Sequence, residues 1–367
     1  MPGALTRGRT GRAHDKGTEP TMSERGTGLL PDLEQWQQWE RGRRRVMNTA
    51  RGLKHRARPA APEQAVLHLP ADEPRTLVVI EKFTPSCRQA IVAPLRHLSP
   101  RTTAVLTPAG HDVDDVMPGL TPTAHIGTQQ LAASITSVLS LGAYLGLSAP
   151  VAAWAARRGV SFHVVQHGLL TPASPPASRG AHVLAWSDDD AEYWSAGRPD
   201  VSVDVVGSQM LWEVSRMPGA EVTNERPVML GQLHGTELTR TQALRTYWSA
   251  CRGQGNEGMD YRPHHNENDA VSRALHTVMR AGGITFDSTS SPLAELGRPV
   301  VSIFSTGTLE AAMRGLPAWV TATDPPAWVR DFWRRYRLAE WGSDPTPPWR
   351  MPDEEPAAAL ARTVEGA

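Results

Sequence analysis

The sequence predicts an α/β chain of two successive doubly wound, Rossmann-like domains facing a cleft, with a basic extension ahead of them. Three observations carry this. Short continuous apolar runs alternate with helical stretches from residue 76 to residue 320, the pattern of parallel strands covered on both faces. A new unit begins at Pro227-Val228-Met229-Leu230-Gly231, after the polar Val222-Thr223-Asn224-Glu225-Arg226. Residues 299–314 read as strand, tight turn and helix: Val300-Val301-Ser302-Ile303-Phe304 breaks at Ser305-Thr306-Gly307, and Leu309, Ala312 and Met313 are then spaced for a buried face. Ligands of such folds bind where strand carboxyl ends meet helix amino ends, which places the expected site in the cleft.

Taken in order, residues 1–31 are rich in Gly, Arg and Thr with few apolar side chains, and are expected to be a disordered tail. Residues 32–62 form a basic helix and linker. Asp32 can cap a helix in which Leu33, Trp36 and Trp39 precede Arg41, Arg43, Arg44 and Arg45, with further basic residues as far as Arg58, before Pro59-Ala60-Ala61-Pro62. Residues 32–58 either attach to an anionic membrane surface or to RNA, or pack their two tryptophans onto the body. Aromatic residues do not interleave the basic stretch after Trp39, which argues against RNA.

The first Rossmann-like domain, 63–222, contains buried strands at 76–80, 103–106, 162–165, 182–186 and 203–206. Between them, Leu131 to Ala156 carries no charged residue, but Gly142, Gly146, Pro150 and scattered Ser and Thr favour two buried helices over a membrane span. The second, 223–350, runs through Gly231-Gln232-Leu233-His234-Gly235, helices near 238–252 and 268–281, a strand near 284–286, the strand-turn-helix at 299–314 and a last strand near 318–320. Residues 351–367 read as a tail.

Composition bounds the rest. With 367 residues, 40% of them hydrophobic, the chain can bury two cores, and a net charge of zero removes any global argument for a polyanionic partner. Cys87 and Cys251 stand far apart without metal-ligand spacing, so neither a disulfide framework nor a zinc site is expected. The first twenty-five residues lack an apolar core of signal-peptide length. A cytoplasmic protein is expected, peripheral at the inner face of a membrane if residues 32–58 attach there.

The turn at Ser305-Thr306-Gly307 leaves helix N–H groups without intrahelical partners at the positive end of a macrodipole, so it can hold a phosphate. Ser305 and Thr306 would add hydroxyl donors, Gly307 would let the ligand approach, and Glu310 would accept from a ribose or simply favour the dipole. His264, in Tyr261-Arg262-Pro263-His264-His265-Asn266-Glu267, would supply a second grip on a diphosphate, with Arg262 nearby. His167 ends a strand before Gly168 and can take a proton from a hydroxyl, or serve as a structural hydrogen-bonder. His234 and Gly235 occupy the first strand-to-helix turn of the second domain. Asp287, with Ser290 and Ser291, forms a further candidate phosphate element. Asp188-Asp189-Asp190 follows Ser187 at a helix start, where acids are ordinary, and no metal is expected.

The order Gln166-His167-Gly168, Arg262-Pro263-His264, then Ser305-Thr306-Gly307 with Glu310-Ala311, resembles bacterial envelope-polymer transferases of the GT-B architecture. These include capsule and polysialic-acid glycosyltransferases and CDP-glycerol glycerophosphotransferases of teichoic acid synthesis. The likeness covers roughly residues 75–345, and Pro326 to Tyr336 looks like the closing helix of such proteins. It implies a nucleotide-activated donor on the second domain, a glycan or lipid-linked acceptor, His167 as base, and His264 with Arg262 stabilising the departing nucleotide. Within it, glycerol phosphate transfer is the alternative, favoured if Ser290 and Ser291 bind phosphate. From another class, the chain would be a non-catalytic nucleotide fold binding RNA or membrane through its N-terminus.

Overall fold

The computed structural model describes residues 28–48, 65–125, 127–235, 237–252, 258–287, 289 and 293–366. Most of the expected tail, the linker and the candidates Ser290 and Ser291 therefore lie outside the described residues. Two sheets organise the chain. The first has eight strands: β1 (Ala65–Leu69), β2 (Thr76–Val79), β3 (Thr103–Pro108), β4 (Thr121–His125), β5 (Ser137–Ser140), β6 (Ser161–Val165), β7 (His182–Ala185) and β8 (Ser202–Val205), in spatial order β4-β1-β3-β2-β5-β6-β7-β8. Strands from β3 to β8 are mutually parallel, while β1 runs antiparallel to both β3 and β4.

Among the parallel strands the order is second, first, third, fourth, fifth, sixth. That is the flavodoxin-like winding, and its direction reverses between β2 and β5. Alternate residues enter separate cores. Leu77, Val79, Val138, Val164 and Val183 join one cluster, and Val78, Ile80, Leu139, Val165 and Leu184 join the other. Burial on both faces is why these strands read as continuous apolar runs.

Helices of this unit are α1 (Leu33–Asn48), α2 (Ser148–Arg158), α3 (Asp188–Ser195) and α4 (Gln209–Arg216). Of the charge-free stretch expected as two helices, the second part forms α2, but the first instead places β5 at the centre of the sheet. Its Ser-Val-Leu-Ser sequence is buried throughout but lacks the β-branched run that marks its neighbours. No helix among the described residues is long and apolar enough to cross a membrane. The start of α1 docks onto this unit: the Trp36 indole N–H donates to the Ala173 carbonyl at 2.8 Å, and Trp39 is buried.

The second sheet contains β9 (Val228–Leu230), β10 (Asp260–Arg262), β11 (Val300–Ser302) and β12 (Ala318–Val320), all parallel, in order β10-β9-β11-β12. Parallel bridges add Phe286 beside Tyr261 and Glu340 beside Val320. With these, the order becomes 3-2-1-4-5-6, the dinucleotide-fold winding, whose switch point lies between β9 and β11. Its helices are α5 (Arg240–Cys251), α6 (Ala270–Ala281), α7 (Thr306–Met313) and α8 (Ala327–Arg335). A final helix, α9 (Pro356–Glu365), occupies the segment expected as a tail. Its Leu360, Ala361 and Val364 are buried in the core of the first sheet, so the chain's end returns to the first unit.

Candidate functional site

The switch point of the second sheet brings together the turns that follow β9 and β11, about one strand spacing apart. After β9 the chain passes Gly231, where an added Cβ would overlap the Tyr261 hydroxyl and stand 2.7 Å from Glu267 Oε1. The buried Glu267 ties this turn to the one after β10. One carboxylate oxygen accepts the Leu233 N–H, and the other accepts the Tyr261 hydroxyl and faces His276 Nε2, each at 2.8 Å. Glu267 N–H donates to the His264 carbonyl. The motif contains Glu267, but its role needs these partners and was not read from the sequence.

That knot sets two imidazoles face to edge, with His234 and His264 centroids 5.4 Å apart. His264 Nδ1 accepts the Asn266 N–H at 3.2 Å, which assigns the proton to Nε2. Burial, then His265 and His234, push the His264 pKa down to about 4. His264 is thus a neutral donor at neutral pH. His265 lies exposed, so the half-buried His264 is the imidazole paired with His234. Gly235 takes φ +72° as the chain turns toward α5.

The turn after β11 departs from the expectation. Ser305 is the N-cap of α7: its hydroxyl accepts the Gly307 N–H at 3.2 Å, while Ser302 Oγ accepts the Ser305 N–H at 3.1 Å. One Ser305 lone pair is therefore committed to the cap, while its hydroxyl proton remains to donate. Thr306 is half-buried at the first helical position. Gly307 does not open the backbone to a ligand. An added Cβ would overlap Leu293 Cδ2 and sit 2.8 Å from Leu230 Cδ1, so the glycine serves helix-to-strand packing. Glu310 lies beyond the first turn of α7, and its half-buried carboxyl is pushed up by burial.

Arg262 is engaged elsewhere than at a phosphate. Its guanidinium lies 3.2 Å from Asp287 Oδ2, and the Asp287 side chain is only 2% exposed. Arg298 approaches Asp287 at 3.9 Å and pairs with Asp260 at 2.6 Å, and Arg226 pairs with Asp260 at 2.7 Å. Asp287 is thus a buried counter-ion in an arginine network.

The first sheet has its own switch point at the ends of β2 and β5. Glu81 follows β2 and caps α2, accepting the N–H groups of Leu147 and Ser148, the latter at 3.0 Å. Next, the exposed Lys82 ammonium lies 5.4 Å from the Tyr144 ring. His167, at the end of β6, is half-buried, and burial followed by the Lys82 charge lowers its pKa to about 4. Sequence reading missed Glu81, Lys82 and Tyr144. Their signal was position: Glu-Lys directly ends the first parallel strand, where a crevice is expected.

The His167 turn is held by a clamp that crosses both units. Gln166 Oε1 accepts from Trp186 N–H and Trp194 Nε1–H, and its amide donates to the Gly168 carbonyl at 3.1 Å and to Asp190 at 3.0 Å. Asp190, fully buried, also accepts the Tyr336 hydroxyl at 2.5 Å, and Tyr336 accepts the Leu170 N–H at 2.7 Å. Arg335 donates to the Leu170 carbonyl and lies 3.6 Å over the Tyr193 ring. Asp188 opens α3, capped by Ser187 Oγ as expected of such a run. Among the described residues, no group of three or more His, Cys, Asp or Glu side chains is arranged to hold a metal ion.

No family model matches the chain, and no curated protein matches it. Among solved structures it is similar to one titled "Crystal structure of GtfA/B complex", at 13% identity and a TM-score of 0.30, over 62% of this chain and 49% of that one. The chain thus spans about half the length of that structure's chain. A TM-score of 0.30 is too low to equate the folds, and the functional reading rests on the geometry above.

Proposed function

We propose that the chain is a GT-B-type transferase that moves a glycosyl group from a nucleotide-activated donor to a hydroxyl of a cell-envelope glycan or related acceptor. The observation that carries this is the second sheet's switch point, where the turns after β9 and β11 flank one another, with His234 and the neutral His264 on one side and the capped amino end of α7 on the other. Neutral donors and a helix terminus form the kind of site that takes a diphosphate.

In this reading the donor diphosphate rests against the Ser305 and Thr306 end of α7 and receives the His264 Nε2–H, with His234 alongside. Glu310, half-buried and without a hydrogen-bond partner among the described residues, accepts from a ribose hydroxyl. His167 takes the proton of the acceptor hydroxyl as its oxygen attacks the anomeric carbon from the face opposite the leaving group. The new C–O bond forms as the bond to the phosphate oxygen breaks, and the configuration inverts. The nucleoside diphosphate leaves with its charge met by the Thr306 N–H, the positive end of α7 and His264, without a metal ion. Arg262 acts here through Asp287, as a support for the turn after β10.

A thermal-shift screen against UDP, GDP, CMP and CDP and their sugar or glycerol conjugates tests the proposal. One nucleotide should raise the unfolding temperature of the full chain, and His264→Ala should abolish that shift while His167→Ala keeps it and loses turnover. A CDP-glycerol response alone would move the reading to glycerol phosphate transfer, and no response to any nucleotide would sink it.

A further inference from the structure

We propose that the cavity along the seam between the two units binds the end of a neutral saccharide chain. Its volume is about 560 Å³, within the range of small-molecule sites. It opens where Trp186 and Ser187 leave β7 and Val206 and Gly207 leave β8, the carboxyl edge of the first sheet. Tyr336, Arg337 and the segment 347–352, on its way to α9, close the other side.

The wall selects the ligand class. The half-buried Trp349 gives it aromatic surface, with Trp186 and Tyr336 buried behind the wall, and Val205 stands 47% exposed at the rim, so apolar C–H faces are accommodated. Two carboxylates, Asp188 and Asp189, and two guanidinium groups, Arg337 and Arg350, complete it. None of these four side chains takes part in a hydrogen bond or ion pair among the described residues. Two negative and two positive groups cancel, which disfavours a phosphate or a cation and favours a neutral ligand rich in hydroxyls. The carboxylates accept from those hydroxyls and the guanidinium groups donate to ring and hydroxyl oxygens. A pyranose combines C–H faces with such a rim of hydroxyls. Tyr336, which lines the cavity, is also bonded to Asp190 and so through Gln166 to the His167 turn. A chain end bound here becomes the acceptor of the transfer; that role rests on the transferase reading, whereas binding does not.

Saturation-transfer difference NMR on the full chain, with maltose, cellobiose, lactose and chitobiose as probes, tests this directly. At least one should receive saturation on its ring protons. The double variant Asp188→Asn/Asp189→Asn should weaken that binding roughly fivefold or more while lowering the unfolding temperature only slightly, because both groups are exposed and, among the described residues, lose only their favourable place in the first turn of α3. Trp349→Ala should weaken it as well, and the asparagine variant decides the matter if the alanine variant folds poorly. Silence from all four probes, or binding undiminished in the asparagine variant, overturns the inference. Nucleotide binding without saccharide binding overturns it and spares the transferase reading, and saccharide binding without any nucleotide response does the reverse.

Discussion

The two switch points present opposite chemistry. At the second sheet, the nearby formal charge is cancelled: Arg262 faces Asp287, and the groups left to meet a ligand are a neutral imidazole and a capped helix end. At the first, Glu81 is spent on capping α2 while Lys82, with no carboxylate partner among the described residues, lies over Tyr144 beside a half-buried imidazole. A site that grips by neutral donors can release a charged product without breaking an ion pair. A site with one cation beside a base instead holds that base neutral, ready to accept a proton.

The largest expected effect tests whether Arg262 belongs to the ligand or to the fold. Arg262→Ala leaves the buried Asp287 carboxylate without its close cation, with the Thr289 hydroxyl and N–H and the more distant Arg298 as its remaining partners. It should cost about 3 kcal/mol of stability, the penalty for stripping a buried carboxylate of its partner, measured by urea denaturation. Arg262→Ala/Asp287→Asn should recover most of that loss. Unchanged stability with lost nucleotide binding would restore Arg262 to the phosphate.

Gly307→Ala poses the same question at the helix end. The added methyl meets Leu293 and Leu230, so a loss of about 2 kcal/mol in urea denaturation is expected from overpacking. The nucleotide-induced shift in unfolding temperature should survive. A stable variant that no longer binds nucleotide would mean that the glycine faces the ligand after all.

What the sequence made legible follows from how far each signal reaches. Strands β2, β3, β6 and β7 announce themselves through their own aliphatic runs, whereas β5 hides because serines bound its two central aliphatic residues. The turns carrying His167, His234, His264 and Ser305 were legible because a strand that breaks at a small or titratable residue is a local pattern. Their partners were not. Tyr336 meets Asp190 across 146 residues and Arg262 meets Asp287 across 25, and no periodicity encodes such pairings. Gly307 was misread for a different reason: a glycine that admits a ligand and one that admits a leucine look the same in sequence.

The pH dependence of stability compares both switch points in one experiment. His167 and His264 are each lowered to about 4, and the buried His163 likewise, against about 6.5 for an unfolded chain. A lowered folded pKa means that the native state binds fewer protons than the unfolded one below pH 6.5. Stability is therefore complete above pH 6.5 and falls as pH drops toward 4. Unfolding temperatures between pH 6.5 and 5, above the main carboxylate range, should decline. His167→Ala and His264→Ala should each flatten that decline, and a variant that leaves the slope unchanged would show its imidazole to be solvated.

The smallest expected effect is the most specific to the first switch point. Lys82 is exposed, so Lys82→Ala should change stability by less than about 0.5 kcal/mol. Its charge is nevertheless the second cause, after burial, of the lowered His167 pKa. Removing it should move that pKa upward, toward the ordinary histidine value, while His264, whose shift owes nothing to Lys82, stays where it is. Titration of the two imidazole Cε1–H resonances reads both at once. A rise at His167 alone would establish that a single exposed cation keeps the candidate base neutral. Movement of neither would assign the shift to burial, and the two switch points would then differ only in the charge they offer a ligand.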